Sequence, residues 1–142
     1  MPTGWAEQRV SITVIEVSEE NTHNSVKVYL YMARNVNRTL QLVIHSAMST
    51  PQSYKKVLQL FRDQFDALGK KYTTAHNVAR RQAQPGDDQL LDHVSHVHFK
   101  LGEAYRLLNQ YPDGLPPDGV AILHRINQEV DLLLLSFHLR PL

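Results

Sequence analysis

The chain has 142 residues, of which 42% are hydrophobic and 20% charged, with a net charge of +1 and no cysteine. This is the size and composition of one globular domain, able to bury roughly two-thirds of its unfolded surface without a covalent staple. It excludes a disulfide framework, a thiolate metal site and a cysteine nucleophile, and it supplies no bulk field that would draw nucleic acid or anionic lipid.

The N-terminus, MPTGWAEQRV, lacks the apolar core of a signal peptide. The longest apolar run, VDLLLLSF, is too short to span a bilayer. A cytoplasmic chain is expected, a nuclear one being also compatible. Residues 1–24 are expected to form an N-terminal arm. Within it RVSITVIEV (9–17) is rich in β-branched residues and alternates at its start, which favours an extended segment or short strand. An isolated strand needs an edge to pair with, so the arm is expected to dock on a partner or a second copy.

Residues 25–48 admit two patterns. Val26, Val28, Leu30 and Met32 alternate, as do Leu40, Leu42 and Ile44, which would suit strands. Read as a helix, Val26, Leu30, Ala33, Val36, Leu40, Val43, Ile44 and Ala47 share one face. The opposite face decides between them. Lys27, Tyr31, Arg34, Arg38, Gln41 and His45 recur every three or four residues, and none is aliphatic. A meander has no reason to produce that stripe, so the helix is preferred.

Three breaks with Pro, Gly and capping residues punctuate the rest: STPQS, QPGDDQ and YPDGLPPDG. A second helix is expected over 51–83, with Tyr54, Val57, Leu58, Phe61, Phe65, Leu68, Tyr72, Ala75 and Ala79 on its apolar face and Gly69 as a place where it breaks or bends. A third is expected over 88–110, on Leu90, Leu91, Val94, Val97, Leu101, Ala104, Tyr105 and Leu108. A fourth is expected over 117–138, on Val120, Leu123, Ile126, Val130, Leu133, Leu134 and Phe137. Asp87, Asp88 and Asp118 suit helix starts, as caps and dipole partners. The expected fold is all-α, an antiparallel four-helix bundle over 25–142 with an N-terminal extended arm or short strand. The alternative is α+β, a three-stranded antiparallel meander followed by three helices.

His93, His96 and His98 invite a metal reading. His93 and His96 could share an ion, but His98 lies about 140° round the helix from His93 at about 100° per residue. Zinc needs three or four converging ligands, and the other histidines are scattered, so no metal and no cofactor is expected. His96 should be solvated, and His93 and His98 should flank the apolar stripe.

The stretch HFKLG resembles the histidine phosphotransfer domains, helical bundles whose exposed His is followed by Lys at the third position and Gly at the fourth. Gly102 stands four after His98, but Lys100 stands two after it. The resemblance implies phosphotransfer through His98 or the better-exposed His96. RTLQLVIH, with Arg38 and His45, resembles the Arg-x(4–6)-His motif of HEPN-type ribonucleases. That resemblance implies a metal-independent RNA-cleaving site in which Arg38 holds phosphate and His45 moves protons.

The basic residues Lys55, Lys56, Lys70, Lys71, Arg80 and Arg81 lie among Asp63 and Asp66 without aromatic interleaving, so a solvated face is expected there rather than nucleic-acid binding. A stronger signal is apolar residues off the buried faces. Phe99 points away from the third helix's core stripe, beside Ser95, Gly102 and Arg106, a pattern that suits a socket for another helix. Leu132 and Leu135 lie outside the fourth helix's buried arc. The expected function is a non-catalytic interaction or scaffold module that binds a partner helix or a second copy through Phe99, Arg106, Leu132 and Leu135. The ribonuclease using Arg38 and His45 is the alternative, followed by phosphotransfer.

Overall fold

The structure, a computed structural model, describes residues 7–82 and 87–136, with side chains from 25–77 and 90–136. Four helices follow one another: α1 (Glu7–Ser46), α2 (Pro51–Gln82), α3 (Asp87–Asn109) and α4 (Pro117–Leu135). Among the described residues there is no strand. The meander alternative is therefore overturned, and the segment 9–17, expected to be extended, lies inside α1. The reason is cooperative. β-branched residues cost a helix only a few tenths of a kcal/mol each, and a helix already nucleated and packed at one end propagates at low cost. Phe137 and the expected helix end at 138 lie outside the described residues, as do the side chains of Ala79, Asp87 and Asp88.

Local chemistry sets the helix starts. The Thr50 hydroxyl accepts the Ser53 amide proton at 3.1 Å, capping α2 immediately before Pro51. At α4 Pro116 occupies the cap position and makes no side-chain cap. Asp118 contributes there through the helix dipole, from the first turn. Gly69 neither breaks nor ends α2, which runs through it to Gln82.

The helices pack α1 on α2, α2 on α3, α3 on α4 and α4 back on α1, with a lesser diagonal contact of α1 with α3. Side-chain pairs fix the register of the α3–α4 hairpin. Lys100 meets Glu129 at 3.5 Å, and seven residues earlier His93 meets Ser136, seven residues later, at 2.8 Å. The two helices are antiparallel. Every aliphatic residue expected on the α1 face is buried or packed against the core, and so are those of the other three faces that the structure describes, except Leu91, which is half-buried outside the core cluster. Tyr29, Phe61 and Leu101 are fully enclosed at the centre.

Candidate functional site

Two kinds of site stand out, polar groups inside the bundle and unusual residues on its outside. One interior cluster surrounds His98. Its ring is stacked between Tyr72, parallel at 4.3 Å, and Phe65, at 5.2 Å. The Tyr29 hydroxyl lies 2.9 Å from His98 Nδ1. Tyr72 in turn meets the Ser95 hydroxyl at 2.7 Å, and Phe65 stacks on Tyr105 at 4.7 Å. Burial pushes the His98 imidazole below its usual pKa, while burial, aided by Tyr72, pushes the Tyr29 phenol up. Both groups are therefore held neutral, and which of the two donates follows the imidazole tautomer. The cluster ties α1, α2 and α3 together, and it engages Nδ1 of His98 with Tyr29 and stacks the ring on Tyr72 and Phe65.

The other two histidines behave differently. His96 is exposed, and His93 is half-buried against Ser136 at the α3–α4 seam. Among the described residues no group of three or more His, Asp or Glu side chains converges as a metal site would require. No described helix is long and apolar enough to cross a membrane.

A second enclosed node joins α1 to α4. Asn37 Nδ2 donates to the Asn127 carbonyl at 3.1 Å and to Asp131 Oδ1 at 2.7 Å. Asn127 Nδ2 donates back to the Asn37 carbonyl at 2.9 Å and to Asn37 Oδ1 at 3.0 Å. Both asparagines are buried, and their reciprocal bonding satisfies amides that would otherwise be costly to desolvate. Neither the Tyr29–His98 pair nor this node was expected. Both had a signal, since Tyr29 continues the Ala33–Val36 stripe and Asn127 falls between Leu123 and Val130 on the core face of α4. A polar residue at a core-period position marks a buried hydrogen bond.

Arg38 and His45 lie on one exposed face of α1, seven residues apart, which is about 10 Å along the helix axis. That face is convex and carries no enclosing wall. An open depression of about 470 Å³ lies at the bundle end, between the α1–α2 turn and the α3–α4 loop, with Tyr54, Tyr111 and Asp113 on its lining. Tyr54 donates its hydroxyl proton to the Tyr111 carbonyl at 2.6 Å, which anchors the α3–α4 loop.

On the outer side of the α3–α4 hairpin, Phe99 is 61% exposed, Leu132 68% and Leu135 70%, and Arg106 is exposed as well. The register set by Lys100–Glu129 and His93–Ser136 places Phe99 and Leu132 within one turn of each other along the bundle axis. The socket expected beside Phe99 is filled from within the chain. Ser95 is bonded to Tyr72, and a Cβ at Gly102 would already meet Arg106 Nη1 at 3.5 Å and Phe65 Cζ at 3.7 Å. Phe99 therefore stands as a projecting knob on a closed surface.

Charge is unevenly distributed along the chain. Residues 25–82 carry ten Lys and Arg against two Asp, a net +8, whereas residues 87–136 carry three against eight, a net −5. Residues 1–24, with Glu7, Glu16, Glu19 and Glu20 against Arg9, carry a further −3, and the chain's small net charge is the balance of these segments.

No protein-family model, no curated protein and no solved structure matches the chain.

Proposed function

We propose that the chain is a non-catalytic binding module whose outer α3–α4 face receives a basic amphipathic helix of a protein partner. The observation that supports this most is the grouping of Phe99, Leu132 and Leu135, three large apolar side chains each more than 60% exposed, on a single hairpin. Large apolar residues left in water at one place mark contact surfaces, and aromatic and arginine side chains are the usual anchors of such surfaces. The net −5 of the hairpin selects a basic helix over an acidic one and disfavours pairing two copies through this face. Phe99 would insert into the partner as a knob, Leu132 and Leu135 would cover its apolar stripe, and Arg106 would sit at the edge.

The test is capture from native lysate followed by reconstitution with the purified partner and hydroxyl-radical footprinting. Oxidation of Phe99, Leu132 and Leu135 should fall several-fold in the complex while that of Met48, 87% exposed at the far end of α1, is unchanged. Protection elsewhere, with those three as reactive as in the free chain, would refute the assignment.

A further inference from the structure

The opposite face of the bundle has the reverse character. From Ser25 to Thr50 the chain contains no Asp or Glu. Lys27, Arg34, Arg38 and His45 fall on one side of α1, at intervals of seven, four and seven residues, which draws them into a line about 27 Å long. Lys27, Arg38 and His45 are exposed, and the Arg34 guanidinium lies 5.5 Å over the Tyr31 ring, held against the helix rather than loose in solvent.

α2 extends the same face. Its α3 side is marked by Arg62, Asp66 and Tyr72, which bond to Asn109, Tyr105 and Ser95. On the opposite flank, towards α1, helical spacing places Lys56 and Lys71, both exposed. The two carboxylates of this half are engaged elsewhere. Asp63 accepts from Gln59 at 2.9 Å, and Asp66 accepts from Tyr105 at 3.4 Å. Asp131 of α4, on α1's other flank, accepts from Asn37, and among the described residues the ion pairs involve neither Arg34 nor Arg38.

We propose that this α1–α2 face binds the phosphodiester backbone of a nucleic acid. A solvated face that merely keeps a protein soluble mixes both signs, whereas a line of cations from Lys27 to His45 with no carboxylate in its own stretch of helix creates a local positive potential. The bulk charge of +1 conceals it because residues 87–136 and residues 1–24 supply the compensating negative charge. Tyr31 is the aromatic ring on the line, and Arg34 already covers it, so bases are not stacked and recognition is of backbone without sequence preference. Val28, Leu42 and Leu60 are about half exposed along the α1–α2 seam and are the feature an acidic helix would use instead. Their position beside the cation line, not on it, favours the polyanion.

The inference stands apart from the α3–α4 reading, and its test separates the two. Fluorescence anisotropy is followed with a labelled 20-nucleotide single-stranded RNA and a 20-base-pair DNA duplex of unrelated sequences, from about 50 to 200 mM salt. Binding is expected to weaken with salt, with a log–log slope of about −3 to −4 on the duplex, as for about four neutralised phosphates. The Arg34→Glu/Arg38→Glu double variant should lose at least tenfold in affinity and flatten the slope by about two. Phe99→Asp should leave both unchanged. Whichever of the two probes binds tighter identifies the strandedness. The proposal is overturned by an absence of binding at 50 mM salt or by indifference to the double charge reversal. It is equally overturned if poly-glutamate competes as well as the nucleic acid at equal charge, which would make the face an acidic-protein surface. Sedimentation of the free chain as an assembly that Arg38→Glu dissolves would assign the face to a second copy instead.

Discussion

The Tyr29 hydroxyl on α1 and His98 Nδ1 on α3 lie 2.9 Å apart across the centre of the bundle, the phenol fully enclosed and the imidazole stacked between two rings. Burial keeps the imidazole neutral. Replacing Tyr29 with Phe keeps the ring and removes the hydroxyl, leaving the half-buried Nδ1 without its partner. Chemical denaturation should show a loss of about 1–2 kcal/mol with an unchanged m-value. No loss would mean that the bond contributes nothing net.

The same pair sets a pH dependence. Burial lowers the folded pKa of His98 beneath its unfolded value, near 6.5 for a model imidazole. Above the unfolded value both states are neutral there and His98 has no effect. As pH falls below about 6.5 the unfolded chain takes up the proton first, so stability declines and goes on declining until the folded pKa is passed. His98→Phe should flatten that part of the stability–pH curve, measured by denaturation between about pH 7.5 and 5. An unchanged slope would place the titration elsewhere.

The Asn37–Asn127 node predicts a strongly non-additive pair. Asn127→Ala strands buried donors and acceptors of Asn37, and should cost about 2–3 kcal/mol; Asn37→Ala should cost a similar amount. The double change should cost distinctly less than the sum. A double-mutant cycle measures the coupling, and additive costs would show that the two amides act independently.

At Gly69 a methyl group would enter open space, since nothing lies within 4 Å of its Cβ position, and α2 is continuous there. Gly69→Ala should stabilise the chain by about 0.5–1 kcal/mol through helix propensity. A loss of stability would show that the glycine serves a conformation other than the straight helix.

Much of the bundle was legible because each apolar stripe keeps a period near 3.6, and because the polar stripe from Lys27 to His45 could belong to nothing but a helix. Residues 9–17 misled for a definable reason. Val, Ile and Thr report local preference, and local preference yields to the propagation of a helix anchored further on. The enclosed polar pairs were not legible from apolar periodicity alone, because Tyr29 and Asn127 are polar groups at core-period positions whose partners lie on other helices. Exposure of Phe99, Leu132 and Leu135 followed directly from their angular positions. The filling of the expected socket did not, since it depends on Phe65 and Tyr72 reaching across from α2. Charge segregation was present in the sequence from the start, but a whole-chain sum erases it.

Arg38 and His45 lie on the open cation line, with no wall or second proton-handling group beside them. RNA held there should remain intact over hours at neutral pH. A cleavage time course that His45→Ala abolishes would move the chain to the ribonuclease class.

The central claim is that the outer α3–α4 face is a binding surface anchored by Phe99. The most direct measurement is the affinity of the captured and purified partner for wild type and for Phe99→Asp, with helicity followed in parallel by circular dichroism. Phe99 is exposed, so the substitution should leave the fold intact. The account predicts unchanged helicity and a loss of affinity of about thirtyfold or more, as for an interface anchor worth about 2 kcal/mol. Equal affinity for the two proteins would contradict it.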